Sequence, residues 1–214
     1  MAITVAPYSF TEFNNLLDFG DAGPKFDNLY GQNIATGEMR ELFRRYKVDN
    51  ILGLALLHKH MLLKDGERLT DVRGTSNPLT FNAGQPSVWK FNTDGQQLAP
   101  LEYSVDQGEI NWQNPNIQEF LKEFFKLLEK TCTVDILGLV GYPGDGYPGR
   151  VEFTTGRSNV NFTPSEAQKY LSSIPGGTRE AAWFYTDDFS KRGCKCNCFT
   201  QPAHNHSHGY TVST

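Results

Sequence analysis

Two segments of the chain carry apolar residues at the spacing of an amphipathic helix. They are TGEMRELFRRYK (36–47) and IQEFLKEFFKLLEK (117–130), each with one apolar face and charges opposite. The apolar face of the first segment contains Met39, Leu42, Phe43 and Tyr46, and that of the second Ile117, Phe120, Leu121, Phe124 and Leu128. Asn116 is the predicted N-cap of the second helix.

A nearly continuous apolar run, VDNILGLALLHKHMLL (48–63), predicts a central strand buried on both faces and ending in a turn. Part of this phrase returns as VDILGL (134–139), about 85 residues later, and each copy follows a predicted helix. The repetition indicates either a duplicated helix–strand unit or two buried strands that happen to use the same residues.

The remaining patterns are shorter. Residues 69–110 alternate between apolar and polar positions and are broken by turn residues, which is typical of half-buried antiparallel strands. Residues 20–32 contain several Gly, Asp and Asn and predict a loop. A short helix is predicted from Pro164, with Thr163 and Glu166 in the capping-box arrangement.

These elements predict an α+β fold, a mostly antiparallel sheet with two main amphipathic helices packed on one face. The chain has 214 residues, which favours a single domain. We expect that domain to span residues 1–192 and to be followed by a Cys/His-rich C-terminal tail at 193–214.

Composition limits the classes of partner. The net charge is −4 and no Lys/Arg cluster stands out, so we expect no nucleic-acid partner. The longest apolar run is too short to cross a bilayer, and the N-terminal residues lack the basic and apolar regions of a signal peptide. The expectation is therefore a cytoplasmic protein without a membrane partner, in which cysteines are thiols or metal ligands.

The tail is the clearest chemical signal. In GCKCNCFTQPAHNHSHGYT, Cys194, Cys196 and Cys198 alternate with other residues, and His204, His206 and His208 repeat that spacing. Alternate residues of an extended chain point to one side, and thiolate and imidazole are ligands of zinc and copper. The spacing differs from that of a zinc finger, and it predicts metal binding without naming the metal. The alternatives are opportunistic metal binding by a tail without fixed structure, or a redox-active thiol pair.

His58 and His60, in LLHKHML, are the other two histidines. On a strand they would share one face, and such a pair can hold a catalytic metal. Two His and one carboxylate would leave open coordination positions for substrate or oxygen. This arrangement also suits iron. The available carboxylates are Glu102, Asp106, Glu109, Asp187 and Asp188. The alternative is that the two imidazoles simply end a strand, one hydrogen-bonded and one solvated.

No residue is assigned to catalysis by a motif. Weak candidates are Glu102, Asp187, Asp188 and Arg157. Arg150 and Arg157 flank a predicted strand and could bind an anionic substrate, although surface arginines are a common alternative.

The LLHKH strand with its following LKDGERL turn, together with the C-x-C-x-C and H-x-H-x-H tail, resembles a family of uncharacterised single-domain fungal proteins. The resemblance implies a fungal, cytosolic protein and carries over no activity.

Three functions are compatible with these signals. The first is a metal-dependent enzyme, with zinc, copper or iron, that acts on a small organic molecule. Its metal would be held by His58 and His60, with the tail completing or covering the site. The second is a non-catalytic protein that binds or buffers copper or zinc. The third is an interaction protein in which a structural metal pins the C-terminus. The oligomeric state stays open.

Overall fold

The computed structural model describes residues 2–145, 147, 149–171, 179–186, 194–200 and 206–212, the last two ranges as backbone. Its helices are α1 (Phe10–Asn14), α2 (Phe19–Asn28), α3 (Gly31–Ile34), α4 (Arg40–Arg45), α5 (Pro115–Lys130) and α6 (Pro164–Leu171). One π-helical turn, Ala35–Met39, lies between α3 and α4.

The two predicted amphipathic helices are present, with different boundaries. The first is broken at Gly37, whose φ of −102° and ψ of −105° are not helical, so the continuous helix is only α4. The second begins at Pro115, and its N-cap is Asn114, whose side chain accepts the N–H of Asn116. The prediction of Asn116 as N-cap was wrong because Pro115 lacks an N–H and suits the first helical position.

Helix α2 occupies the region that we predicted as a loop. Gly20, Gly23 and Pro24 disfavour a helix locally, and Pro24 lies inside α2. Burial of Phe19, Ala22 and Phe26 in the core outweighs this propensity. The capping box of α6 is confirmed, because Thr163 N–H donates to Glu166 and Glu166 N–H donates to the Thr163 hydroxyl.

The strands form one large, curled, mostly antiparallel sheet and a separate hairpin. The ten strands of the sheet within the described residues are β1 (Thr4–Val5), β2 (Leu52–Leu56), β3 (Arg68–Val72), β4 (Thr75–Leu79), β5 (Gln85–Phe91), β6 (Gln97–Ser104), β7 (Leu137–Gly141), β8 (Val151–Thr155), β9 (Ser158–Phe162) and β10 (Ala182–Trp183). Their order is β10-β2-β7-β5-β6-β3-β4-β9-β8, and β1 pairs with β6. Among these described strands, the parallel pairs are β1–β6 and β3–β6.

The repeated ILGL phrase forms two neighbouring strands. β2 and β7 pair antiparallel, and Leu54 lies directly opposite Leu139, the equivalent residue of the other copy. A residue with a left-handed φ lies between each copy and the helix before it. It is Lys47 (51°) after α4 and Cys132 (57°) after α5. The backbone hydrogen bonds that follow are equivalent as well. The N–H of Leu52 donates to the carbonyl of Val48, and the N–H of Leu137 donates to the carbonyl of Thr133. This agreement of caps, turns and strands favours a duplicated unit over a chance repetition.

The glycine of each copy is required by close packing. A Cβ at Gly138 would lie 2.3 Å from the carbonyl oxygen of Trp89, and one at Gly53 would lie 2.7 Å from the carbonyl oxygen of Trp183. Both contacts are with the backbone of an adjoining strand, which cannot move aside without disturbing the pairing. Glycine at these positions therefore lets β10 pack close to β2 and β5 pack close to β7.

The sheet separates two apolar clusters. On one side Leu52, Leu54 and Leu56 of β2 join the larger cluster, to which α2, α4 and α5 also contribute. Phe43 of α4 contacts Phe120 of α5 with ring centroids 4.8 Å apart. On the other side Ala55 and Leu57 belong to a smaller cluster with Phe13 and Leu16.

The tail contains a hairpin of β11 (Cys194–Thr200) and β12 (His206–Val212). Its backbone lies beside β8, and β12 also approaches β9. The backbone of β11 also lies beside β10 and α2, so the hairpin is close to both ends of the strand order. Among the described residues, no helix has the length and apolar character needed to span a membrane.

We expect the close approach at β7 to make Gly138→Ala destabilising by about 1–3 kcal/mol, because the added methyl group overpacks the β5–β7 pair. Gly108→Ala is the matched control, since nothing lies within 4 Å of a Cβ at Gly108. Urea unfolding of both variants measures the difference. Equal free energies of unfolding for the two variants would contradict this packing.

Candidate metal centre

His58 and His60 lie just beyond the end of β2, which stops at Leu56. We expected both on the strand itself. They still point into a common space, because their rings contact each other with centroids 4.8 Å apart. Both side chains are buried, His58 at 6% and His60 at 6% exposure, so neither is the solvated end of a strand.

The segment that carries the histidines is held against α1 and the residues after it. Asn14 makes two hydrogen bonds with the backbone of Leu63, from Nδ2 to the carbonyl and from the N–H to Oδ1, each 2.8 Å. Lys59 donates its N–H to Leu17 and its ammonium to the carbonyl of Leu16 at 2.7 Å. These hydrogen bonds fix the backbone on both sides of His60.

Two carboxylates reach His60 from other strands. Nε2 of His60 lies 3.6 Å from Glu102 of β6 and 3.7 Å from Glu152 of β8. One ligand atom from each of His58, His60 and Glu152 lies within 4.8 Å of the others. β2 and β8 are separated by six strands in the order of the sheet, so only its curl can bring these side chains together.

Hydrogen bonding fixes the orientation of His58. Its Nδ1 lies 2.8 Å from the carbonyl oxygen of Leu56, which can only accept, so Nδ1 carries the proton and Nε2 the lone pair. Burial lowers the pKa of His58 to about 3, and the neighbouring His60 acts in the same direction. His58 is therefore neutral, as a metal ligand must be.

His60 has the opposite balance. Burial lowers its pKa, but the carboxylates of Glu152 and Glu102 together outweigh burial and raise the pKa above its ordinary value. The surroundings of His60 therefore favour a positive charge. The same two carboxylates would also stabilise a metal cation. Two imidazoles with one carboxylate are a common donor set for zinc and non-haem iron.

Next to these ligands is a cavity of about 360 Å³, to which Glu102 and Glu152 both contribute. A smaller cavity of about 40 Å³ adjoins His58, His60 and Glu102. Glu102 lines both spaces and thus connects the imidazoles with the larger cavity. The larger volume is at the lower end of ligand pockets, which span roughly 300–1,000 Å³.

The other predicted site residues are distributed unevenly. Asp106 and Arg150 line the larger cavity, whereas Arg157 forms an ion pair with Glu67 at the β8–β9 turn and is absent from the cavity wall. Glu109 is exposed and absent from that wall. Asp187, Asp188 and His204 lie outside the described residues.

The tail register relates the cysteines to the histidines. In the hairpin Cys196 lies opposite Tyr210, Cys198 opposite His208, and Thr200 opposite His206. Residues directly opposite in an antiparallel pair share a face, and so do alternate residues of one strand. Positions 194, 196, 198, 206 and 208 therefore fall on one face of the hairpin.

Glu152 was missed by the sequence reasoning. It lies in RVEFTTG (150–156), within the predicted strand that Arg150 and Arg157 flank, and its side chain is buried at 6% exposure. A lone acidic residue between Val151 and Phe153 is a weak signal of a buried carboxylate with a partner. The sequence does not show that this partner is His60.

We expect Asn14→Ala to loosen the histidine segment, because it leaves the N–H and carbonyl of Leu63 without the amide that they contact. The free energy of unfolding should fall by about 1–3 kcal/mol, and amide hydrogen exchange should accelerate at Leu63. The exposed Asn50→Ala is the control and should change neither quantity. Unchanged exchange at Leu63 would show that Asn14 does not hold this segment.

No protein-family model, curated protein or solved structure matches the chain. The resemblance to fungal proteins accordingly stays a prediction from two motifs. The function is argued below from the geometry of the site.

Proposed function

We propose that this chain is a metal-dependent enzyme that acts on a small organic molecule, with the ion held by His58, His60 and Glu152. The observation that carries the proposal is the convergence of these three buried side chains, within 4.8 Å, beside a cavity large enough for a small molecule. Buried titratable groups at the base of a cleft are a usual feature of active sites.

The donor set supports a borderline metal. Imidazole suits zinc, copper and iron, and a carboxylate in place of a third imidazole is common in catalytic zinc and iron centres. Three protein ligands leave at least one position for water or substrate. When bound, such an ion acts as a Lewis acid or lowers the pKa of water, and iron or copper also supports redox chemistry.

Glu102 has the clearest role among the remaining side chains. Its carboxylate lies 3.6 Å from His60 and also faces the larger cavity, and it is 20% exposed. It can therefore accept a proton from a molecule in the cavity and pass it toward solvent. His58 keeps its orientation through Leu56, and Glu152 supplies negative charge to the ion from the buried side.

The tail would complete or cover this site. Support comes from the hairpin backbone, which lies beside β8, the strand that carries Glu152. A second candidate function also has support. Because the register places three cysteines and two histidines on one face, the tail could bind copper or zinc by itself in a non-catalytic, buffering role.

The proposal keeps the predictions that rest on composition and pattern. These are a cytoplasmic location, no nucleic-acid partner, and two amphipathic helices on one face of the sheet. In this arrangement the helices would pack against the face of β2 that carries Leu52, Leu54 and Leu56.

We expect the tag-free chain of 214 residues to bind one zinc ion per chain. Glu152→Gln should weaken this binding about 100-fold or more, since even residues that only support metal ligands contribute roughly 10–100-fold. Glu119→Gln, an exposed change on α5, is the matched control and should bind like the parent chain. Competition with a chromophoric chelator measures the affinities, and circular dichroism of the chelator-treated proteins checks the fold. A folded Glu152→Gln variant with the parent affinity would refute the proposed ligand set.

We expect the triple variant Cys194→Ser, Cys196→Ser, Cys198→Ser to keep one zinc per chain, because the interior ligands remain. Elemental analysis after dialysis measures the stoichiometry. Loss of all zinc from this variant, with the parent content in Glu152→Gln, would favour the buffering function. A sharp fall in melting temperature on chelation without any open coordination position would favour a structural metal.

A further inference from the structure

Among the described residues, those that line the larger cavity beside the metal centre carry an excess of negative charge. They include four carboxylates, those of Asp71, Glu102, Asp106 and Glu152, and one guanidinium, that of Arg150. A divalent ion on His58, His60 and Glu152 would offset two negative charges and still leave a negative excess. An anionic substrate would therefore enter against the field of the cavity.

Arg150 does not reverse this field. It donates to Asp71 at 2.8 Å, and the same carboxylate oxygen accepts from Asn161 at 3.1 Å. The other oxygen of Asp71 accepts the N–H of Gly74 at 2.9 Å. This network makes the arginine part of a neutral pair in the wall, so the hypothesis that it binds an anionic substrate loses its support.

One side of the cavity is aromatic. Tyr142 and Tyr147 both contact Phe184 edge to face, with ring centroids 5.7 and 6.3 Å apart. All three rings line the cavity. The guanidinium of Arg150 lies 5.1 Å from the centroid of Tyr147, so the wall's own cation occupies one face of that ring.

We infer that the cavity binds a small organic cation, an ammonium-bearing molecule held between the aromatic wall and the carboxylates of Asp106 and Glu102. Aromatic faces combined with nearby carboxylates are the general means by which proteins bind ammonium groups. Asp106 is exposed and Glu102 lies further in, beside His60. The ligand would thus meet one carboxylate at the mouth and another next to the metal centre. As an assignment of substrate class the inference rests on the proposed function, whereas binding of the cation does not require the metal.

Three probes of similar shape and different charge test the inference. They are tetramethylammonium, tert-butanol and pivalate. Tetramethylammonium has no lone pair on nitrogen and cannot coordinate a metal, so its binding depends only on rings and carboxylates. The titrations use the full chain after chelator treatment, at low ionic strength, and follow backbone amide signals by NMR.

We expect tetramethylammonium to shift the amide signals of Gln107 and Tyr142, which line the cavity, and to bind at least about tenfold more tightly than either other probe. Asp106→Asn should weaken its binding about fivefold, the effect of one unit charge at roughly 4 Å in water. Asp65→Asn removes an exposed carboxylate outside the cavity wall and should have no effect.

The outcomes separate this inference from the proposed function. Preference for pivalate, equal binding of all three probes, or shifts confined to residues outside the cavity would overturn the inference. If tetramethylammonium binds as expected but Glu152→Gln retains the parent zinc affinity, the cation site stands and the metal centre fails. If zinc binding follows the expected pattern while tetramethylammonium does not bind, the metal centre stands and the substrate class is wrong.

Discussion

The carboxylate of Glu152 is buried next to His60, and this placement constrains the rest of the structure. A buried carboxylate is costly unless a positive charge and hydrogen-bond donors compensate for it. His60 lies 3.7 Å away and is itself buried, while the pKa of the adjacent His58 is lowered to about 3. One positive charge, a proton on His60 or a metal cation, is therefore what this space requires. A metal cation is the occupant that we propose for this space, given its donor set and the adjoining cavity.

The architecture of the sheet produces this placement. The repeated strands β2 and β7 pair with each other, and Gly53 and Gly138 let the backbones of β10 and β5 approach them on their outer sides. The end of β2 then positions His58 and His60, with Asn14 and Lys59 holding the segment against α1. The curl of the sheet brings Glu102 from β6 and Glu152 from β8 to the same point. Each of these steps depends on packing between residues distant in sequence.

Local pattern was sufficient for some elements and insufficient for others. The periodicity of residues 117–130 predicts α5, the apolar run at 48–63 contains β2, and Thr163 with Glu166 predicts the cap of α6. Helix α2 was not predicted, because its Gly and Pro residues have low helix propensity and the helix is stabilised by burial of its apolar side chains. The spacing of His58 and His60 in an apolar run was enough to select them as candidate ligands. Glu152 could not be selected, because a local sequence pattern does not determine the order of the strands or the curl of the sheet. The spacing of the tail predicts its shared face, whereas the pairing of Cys198 with His208 depends on the hairpin register.

The centre and its cavity together account for the proposed activity, with an ion at the buried end and a negatively charged, partly aromatic space in front of it. The most direct measurement is anomalous diffraction at the zinc edge from crystals of the 214-residue chain grown with one equivalent of zinc. The account predicts one strong peak about 2.0–2.2 Å from nitrogen atoms of His58 and His60 and from a carboxylate oxygen of Glu152. A peak only among the tail cysteines, with none at these three residues, would contradict it.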